Sequence, residues 1–328
     1  MSKVKDTGFL DKTPALYSGG VLLNTLGFHV LRTLYLNVWR LKPKKLSNEY
    51  QKYADILDKD GILIIPDFLP AEQFEELKKE YEQLYSDWDP LKYDPEKMNK
   101  RQKDFPEYFE TIAEKFVTPN TPAFTKYFLK NKLINELTHA VVHRKIRTIP
   151  YSHFWHLQRR NLDKNVSTLH TAAFPHADVP YPTVKVFLYL TDVDESNAAY
   201  IFAKGSHKLT WKRLMFEYKL SVRYAKTKND IVTEEELNKL GYKSESISGK
   251  ANTLFISNNM GYHNRGNFSN MNPRITAQLD YRNLESWRNT LNRGGSNIIS
   301  RLSKKIVKSL DKSKKEKYRA SISNNNMS

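Results

Sequence analysis

Apolar residues recur along this chain with two different periods, and the change from one to the other divides it. Between Gly19 and Leu41 (GGVLLNTLGFHVLRTLYLNVWRL), Leu23, Val30, Leu31, Leu34, Val38 and Leu41 share one helical face, while His29, Arg32, Thr33 and Arg40 gather on the other. The stretch approaches the length of a membrane span, yet its polar face predicts an amphipathic helix that packs on the domain or lies on a membrane surface. Asp60–Leu84 reads as a short β-rich run, GILIIPDFL, followed by a helix, PAEQFEELKKEYEQL, with Pro70 in its first turn. Residues 86–130 show weak periodicity and are read as loops and short helices.

From Ile146 the period becomes that of strands. IPYSHFWHLQ, VKVFLYLTDV, AAYIFA, ESISG, NTLFISN and RITAQLDYR are short β-prone runs separated by turn residues, interrupted by a helical insertion over Lys208–Leu240. Many short strands at this spacing predict a jelly roll, so the expected fold class is mainly β with flanking helices around a double-stranded β-helix, cupin-like core. After Trp287 the composition turns to Arg, Asn, Ser and Lys. There Ile298, Leu302, Ile306 and Leu310 repeat every four residues among lysines, a basic amphipathic helix before a polar end. The expected domains are an N-terminal segment over 1–48, a β-helix domain over 49–288 and a basic tail over 289–328.

Charge and composition narrow the chemistry. With 328 residues and no cysteine, the chain can bury a large core without disulfides, and any metal site must use His, Asp, Glu or backbone oxygen. That donor set suits Fe(II), Mn or Zn. The net charge of +17 calls for an acidic partner. Nine Lys/Arg against Asp311 and Glu316 between Arg301 and Arg319 put much of the excess in the tail. With Gly19–Leu41, the 296–319 tail makes an anionic membrane surface the expected partner, ahead of nucleic acid. No secretory signal fits Met1–Ser18, so the expected location is cytoplasmic, either free or peripheral to the inner face of a membrane.

The candidate chemistry begins at His176 and Asp178 in HAD. With 9 His and 17 Asp, an H-x-D triplet is expected about 0.5 times by chance, so context must carry it. On a strand the i, i+2 alternation points both side chains to one side, where they can clamp one ion. His263 in NNMGYHNRGNFSNMNPR is the candidate third ligand, with Arg274 eleven residues on. His29 and Arg40 have the same spacing but lie in the wrong place. Two imidazoles and a carboxylate on one face of an ion leave its other positions open. His207 in KGSHK reads as a turn residue, and His153, His156 and His170 as core or loop histidines. Tyr151, Trp155 and Gln158 are candidate pocket residues.

The order of these features resembles the phytanoyl-CoA dioxygenase family of Fe(II)/2-oxoglutarate-dependent oxygenases over about Asp60–Trp287. The resemblance rests on DGILIIPDFLPAEQFEEL, on HAD followed by VKVFLYLTDVD, on KGSHK where the family has a proline–glycine–serine–histidine turn, and on GYHNRG…PRITAQLDYR. It implies an enzyme with His176, Asp178 and His263 as both metal ligands and catalytic residues. Arg274 would pair with the far carboxylate of 2-oxoglutarate. Hydroxylation of a small-molecule or lipid-like substrate would release succinate and CO₂, with ascorbate as reductant. Relatives that halogenate carry a small residue where this chain has Asp178, so the intact carboxylate implies hydroxylation. Arg265 stands where many members have a small hydroxyl residue, and it either adds a second positive charge to the cosubstrate site or faces away. The alternatives are a non-catalytic jelly-roll protein docking to membrane or nucleic acid through its basic ends, and a zinc hydrolase, which lacks an evident general base.

Overall fold

A computed structural model describes residues 46–85, 108–112, 121–142, 150–159, 173–178, 183–227 and 231–281, together with Val30. The Gly19–Leu41 helix apart from Val30, His170, Trp287 and the 289–328 tail lie outside the described residues. Among the described residues no helix is long and apolar enough to cross a membrane.

The first helix, α1 (Asn48–Asp60), ends at Gly61 in the left-handed region, φ 81°, whose N–H donates to Leu57 O at 2.9 Å. Any side chain on Gly61 would run into the His207 ring, so glycine is required on two counts. His207 also reaches Asp58 O at 3.0 Å, and Gly205 N–H donates to Asp60 O at 2.8 Å. The DG and KGSH motifs therefore meet in space, and their packing fixes how α1 enters β1 (Ile62–Ile65). His207 is a turn residue, as its sequence context indicates.

Helix α2 (Ala71–Tyr85) begins one residue later than the sequence reading: Pro70 is its N-cap, accepting from Phe74 N–H at 3.0 Å. Phe74, Leu77 and Tyr81 form its buried stripe. The weakly periodic 86–130 region contains a strand, β2 (Tyr108–Ile112), and a π-helix (Phe124–Leu129), neither of which periodicity revealed. The Glu80 carboxylate accepts from the Ala123 and Phe124 amides at 2.5 and 2.8 Å, capping the turn that opens this π-helix. Helix α3 (Lys132–Val142) follows.

The remaining strands are β3 (Tyr151–Arg159), β4 (Val184–Tyr189), β5 (Tyr200–Ala203), β6 (Ser244–Ile247), β7 (Leu254–Asn258), β8 (His263–Arg265) and β9 (Arg274–Tyr281). The insertion supplies α4 (Trp211–Thr227) and α5 (Glu234–Leu240). A capping box starts α5: Thr233 Oγ1 accepts from Glu236 N–H at 3.2 Å, and the Glu236 carboxylate from Thr233 N–H at 3.0 Å. All pairings are antiparallel, in one sheet of order β1-β7-β4-β9-β3-β2 and a second of order β6-β5-β8. The architecture is the double-stranded β-helix with flanking helices.

Alternation sorts the large sheet into two faces. Phe154, Val184, Val186, Leu188, Leu254, Ile256, Ile275, Ala277 and Leu279 join Leu57, Phe74, Leu77, Phe124, Phe128, Ile134 and Leu137 in the outer core beneath the helices. Phe187, Tyr189 and Phe255 face the other way and meet Tyr200 and Phe202 of the small sheet. The Phe187 and Phe255 rings stack 4.5 Å apart. This second cluster fills the interior of the roll and leaves its ends for polar groups.

The outer face holds His156 in a fixed chain of hydrogen bonds. The Gln158 amide donates to Met271 O at 2.8 Å, so its oxygen faces His156 Nε2 at 3.2 Å and accepts. His156 Nδ1 then accepts from the Tyr81 hydroxyl at 2.6 Å. Gln158 is thus structural and does not line the interior. Burial pushes the His156 pKa from 6.5 to about 4, against a smaller upward pull from its hydrogen bond to Gln158. As pH falls through this window the unfolded chain takes up a proton that the folded one refuses, so stability is full above about pH 6.5 and declines towards 4. The contribution is on the order of 3 kcal/mol. We expect thermal melts of the wild type to shift down across that range, and His156→Gln to flatten the slope by its share.

Candidate metal centre

His176 lies outside any strand proper. It makes one antiparallel bridge to His263, the first residue of β8, each backbone N–H donating to the other's carbonyl at 2.9 Å. The two imidazoles consequently face each other, ring centres 4.5 Å apart. Asp178 N–H donates to Asn259 O at 3.2 Å, which tethers the third member to the loop leading into β8. The i, i+2 expectation for His176 and Asp178 thus holds through a bridge and a bend and needs no regular strand.

Each imidazole has its tautomer set by the backbone two residues earlier. His176 Nδ1 lies 2.9 Å from Phe174 O, and His263 Nδ1 lies 3.0 Å from Gly261 O. A carbonyl can only accept, so both Nδ1 atoms carry a proton, and in the neutral ring each Nε2 presents a lone pair, that of His263 with the Asn259 amide 3.3 Å away. Those Nε2 atoms lie 3.7 Å (His176) and 3.5 Å (His263) from Asp178 Oδ1. One donor atom from each of the three residues falls within 4.8 Å of the others, the span of ligands around one ion.

Electrostatics keeps the set ready for a cation. Burial and then the neighbouring His263 hold the pKa of His176 below the ordinary histidine value, although one edge of its ring stays open, with 38% of the side chain exposed. Burial alone would raise Asp178. The Lys185 ammonium, 2.6 Å from Oδ2, and then the imidazoles reverse that and hold the carboxyl well below its usual range. A neutral imidazole and an ionised carboxylate are the forms that bind metal.

Deeper in the roll, Arg274 opens β9 and is buried. Its Nη1 donates to Ala198 O and its guanidinium lies 5.3 Å over the Trp155 ring, which sets the plane of the fork. Directly beside it Trp155 and Thr276 are cross-strand partners, with Gln278 two residues on along the same face. Trp155 Nε1, Thr276 Oγ1 and Gln278 Oε1 are buried and have no hydrogen-bond partner among the described residues. Three orphaned polar atoms on one wall beside a buried guanidinium are costly unless a polar ligand satisfies them, so the residues fit an anionic cosubstrate bound beside Arg274.

Arg265 is buried two residues after His263 on β8, opposite Tyr200, and alternation places it on His263's face of the strand. The Tyr200 ring stacks on His263 at 5.3 Å. Of the candidate pocket residues, Tyr151 and Trp155 are on the inner face. Sequence reasoning missed Lys185 and Asn259. A lone lysine alternating with Phe187 and Tyr189 in VKVFLYL was the available signal, since an inward charge on a buried strand needs a partner.

A double-stranded β-helix with two imidazoles and one carboxylate converging at its interior is the arrangement of a non-haem metal oxygenase. The chain belongs to the phytanoyl-CoA dioxygenase (PhyH) family of iron- and 2-oxoglutarate-dependent oxygenases, whose sequence profile matches residues 57–236. That span includes His176 and Asp178; His263 and Arg274 lie beyond it. No curated protein matches significantly. Among solved structures the chain is similar to HygX from Streptomyces hygroscopicus with nickel and 2-oxoglutarate bound, at 17% identity over 72% of this chain and 87% of that one, TM-score 0.45. It is also similar to EctD from S. alaskensis with bound Fe, at 16% identity over 73% and 79%, TM-score 0.45. The epimerase SnoN from nogalamycin biosynthesis aligns at 14% identity over 71% and 81%, TM-score 0.44.

Proposed function

We propose that the protein hydroxylates a small polar molecule, using Fe(II) held by His176, Asp178 and His263 and 2-oxoglutarate anchored by Arg274. The convergence of two Nε2 atoms on one carboxylate oxygen, with both Nδ1 atoms turned to backbone carbonyls, carries the reading. Bound iron supplies oxygen activation coupled to decarboxylation of 2-oxoglutarate to succinate and CO₂. The chain's own residues do the rest. The imidazoles and Asp178 occupy one face of the ion, and Arg274 meets the distal carboxylate as a planar fork. Trp155 Nε1 and Thr276 Oγ1 donate to the same anion, and the aromatic cluster of Phe187, Tyr200, Phe202 and Phe255 excludes water.

Register supports a polar substrate over a lipid-like one. Lys185 lies directly opposite Asp280, and Asp280 opposite Tyr151, forming one inner row at the metal-ligand end of the sheet. A charged and polar row at that end favours a substrate with polar groups, where an acyl chain would find no apolar wall.

The test is 2-oxoglutarate consumption with Fe(II) and ascorbate, which proceeds slowly even without prime substrate. Loss of two charge-assisted hydrogen bonds in Arg274→Ala is expected to cost about 3 kcal/mol, a rise of roughly 10²-fold in KM for 2-oxoglutarate. Arg274→Lys keeps the charge but not the fork and falls between. Consumption absent in the wild type, or a KM unmoved in both variants, overturns the reading.

A further inference from the structure

We propose that Lys185 is a positioning residue for Asp178: with the Asn259 amide it occupies the carboxylate's Oδ2, so that Oδ1 alone is offered to the metal. This rests on the metal-site reading above. Lys185 Nζ lies 2.6 Å from Oδ2 and Asn259 Nδ2 lies 3.0 Å from it. Oδ1 is the oxygen that faces both imidazoles, at 3.5 and 3.7 Å. The two oxygens of one carboxylate therefore have separate tasks.

Asn259 cannot exchange its amide ends, because its Oδ1 already accepts from Ser257 Oγ at 2.6 Å and its NH₂ must point at Asp178. Its backbone is fixed too, the N–H donating to Thr183 O at 2.9 Å and the carbonyl accepting from Asp178 N–H. Lys185 arrives from the adjacent strand. On β4 it shares the inner face with Phe187 and Tyr189, between Ser257 of β7 and Asp280 of β9 in register. Only 18% of its side chain is exposed. Carrying an ammonium into the roll costs solvation, which the charge-assisted bond to Asp178 offsets.

The functional consequence is a count of positions. A carboxylate that binds through one oxygen leaves three sites of a six-coordinate ion open: two for a chelating cosubstrate and one for O₂. A carboxylate that swings to chelate through both oxygens closes one of them. Lys185 and Asn259 block that swing, and the ammonium adds a positive charge that favours a dianionic cosubstrate.

The experiment loads the full chain with Co(II), whose visible absorption reports coordination number, and titrates it with 2-oxoglutarate. Lys185→Met is expected to alter the Co(II) spectrum and to weaken 2-oxoglutarate binding about 10- to 100-fold. Lys185→Gln, which keeps a donor and drops the charge, should restore the spectrum while recovering only part of the affinity. A merely structural ion pair would change the melting temperature and leave both readouts alone. Wild-type spectrum and affinity in Lys185→Met overturn the proposal. Should that variant fail to fold, Lys185→Gln decides: a wild-type spectrum with weakened affinity supports the assignment, and a changed spectrum or wild-type affinity overturns it. Wild-type protein whose Co(II) spectrum matches that of His176→Ala removes the metal-site reading itself, and this inference with it.

Discussion

His176→Ala is expected to reduce 2-oxoglutarate turnover to the level of the blank and to remove any rise in melting temperature on adding Fe(II) or Co(II). Only three side chains supply donors to the site among the described residues, and their geometry leaves no spare. Without His176 Nε2 the ion is left with one imidazole and one oxygen of a carboxylate whose other oxygen is engaged by Lys185 and Asn259. The fold should persist. His176 contributes its bridge to His263 through backbone atoms that alanine retains, and its imidazole edge is partly open. Wild-type protein in metal at about 100 times Kd should gain about 2.7 kcal/mol by mass action, and the variant should not. A variant that still turns over 2-oxoglutarate, or still gains stability from the ion, places the metal elsewhere.

Legibility in the sequence follows physical range. Strand periodicity is local, so β3 to β7 and β9 appear in the sequence as short β-prone runs, and the helical insertion reads equally well from its 3.6-residue period. The π-helix over Phe124–Leu129 escapes because its period differs from both templates and a distant residue, Glu80, caps it. The same division holds at the site. His176 and Asp178 sit two residues apart and reveal themselves, and His263 follows from order along the chain. Asn259 is hidden by ordinary loop chemistry, since nothing in NNMGYH says which asparagine turns inward. Lys185 is settled by register, which pairs β4 with β7 and β9 and so decides what an inward lysine meets. Arg265 reads as ambiguous for a related reason: three residues of β8 are too few for a periodic signal.

Arg213→Met is expected to be the most destabilising single change, at about 3–5 kcal/mol, and to damage the metal centre from a distance. Arg213 and Glu217 are fully buried, one turn apart on α4, with Arg213 Nε 2.8 Å from the carboxylate. Arg213 Nη2 donates to Met260 O at 2.7 Å, and the guanidinium lies 4.8 Å over the Tyr262 ring. Removing it takes the guanidinium away from a buried carboxylate and deprives a buried carbonyl of its donor. Replacing Glu217 as well, in Arg213→Met/Glu217→Leu, removes the buried charge, so most of the stability should return. Function should not return with it. Met260 and Tyr262 flank Gly261, whose carbonyl fixes the His263 tautomer, and the same loop carries Asn259 against Asp178. A double variant with near-native melting temperature but weakened Co(II) binding is therefore the expected outcome, measured by melts and metal titration on the same preparation. Recovery of both together would show that the pair serves the fold alone.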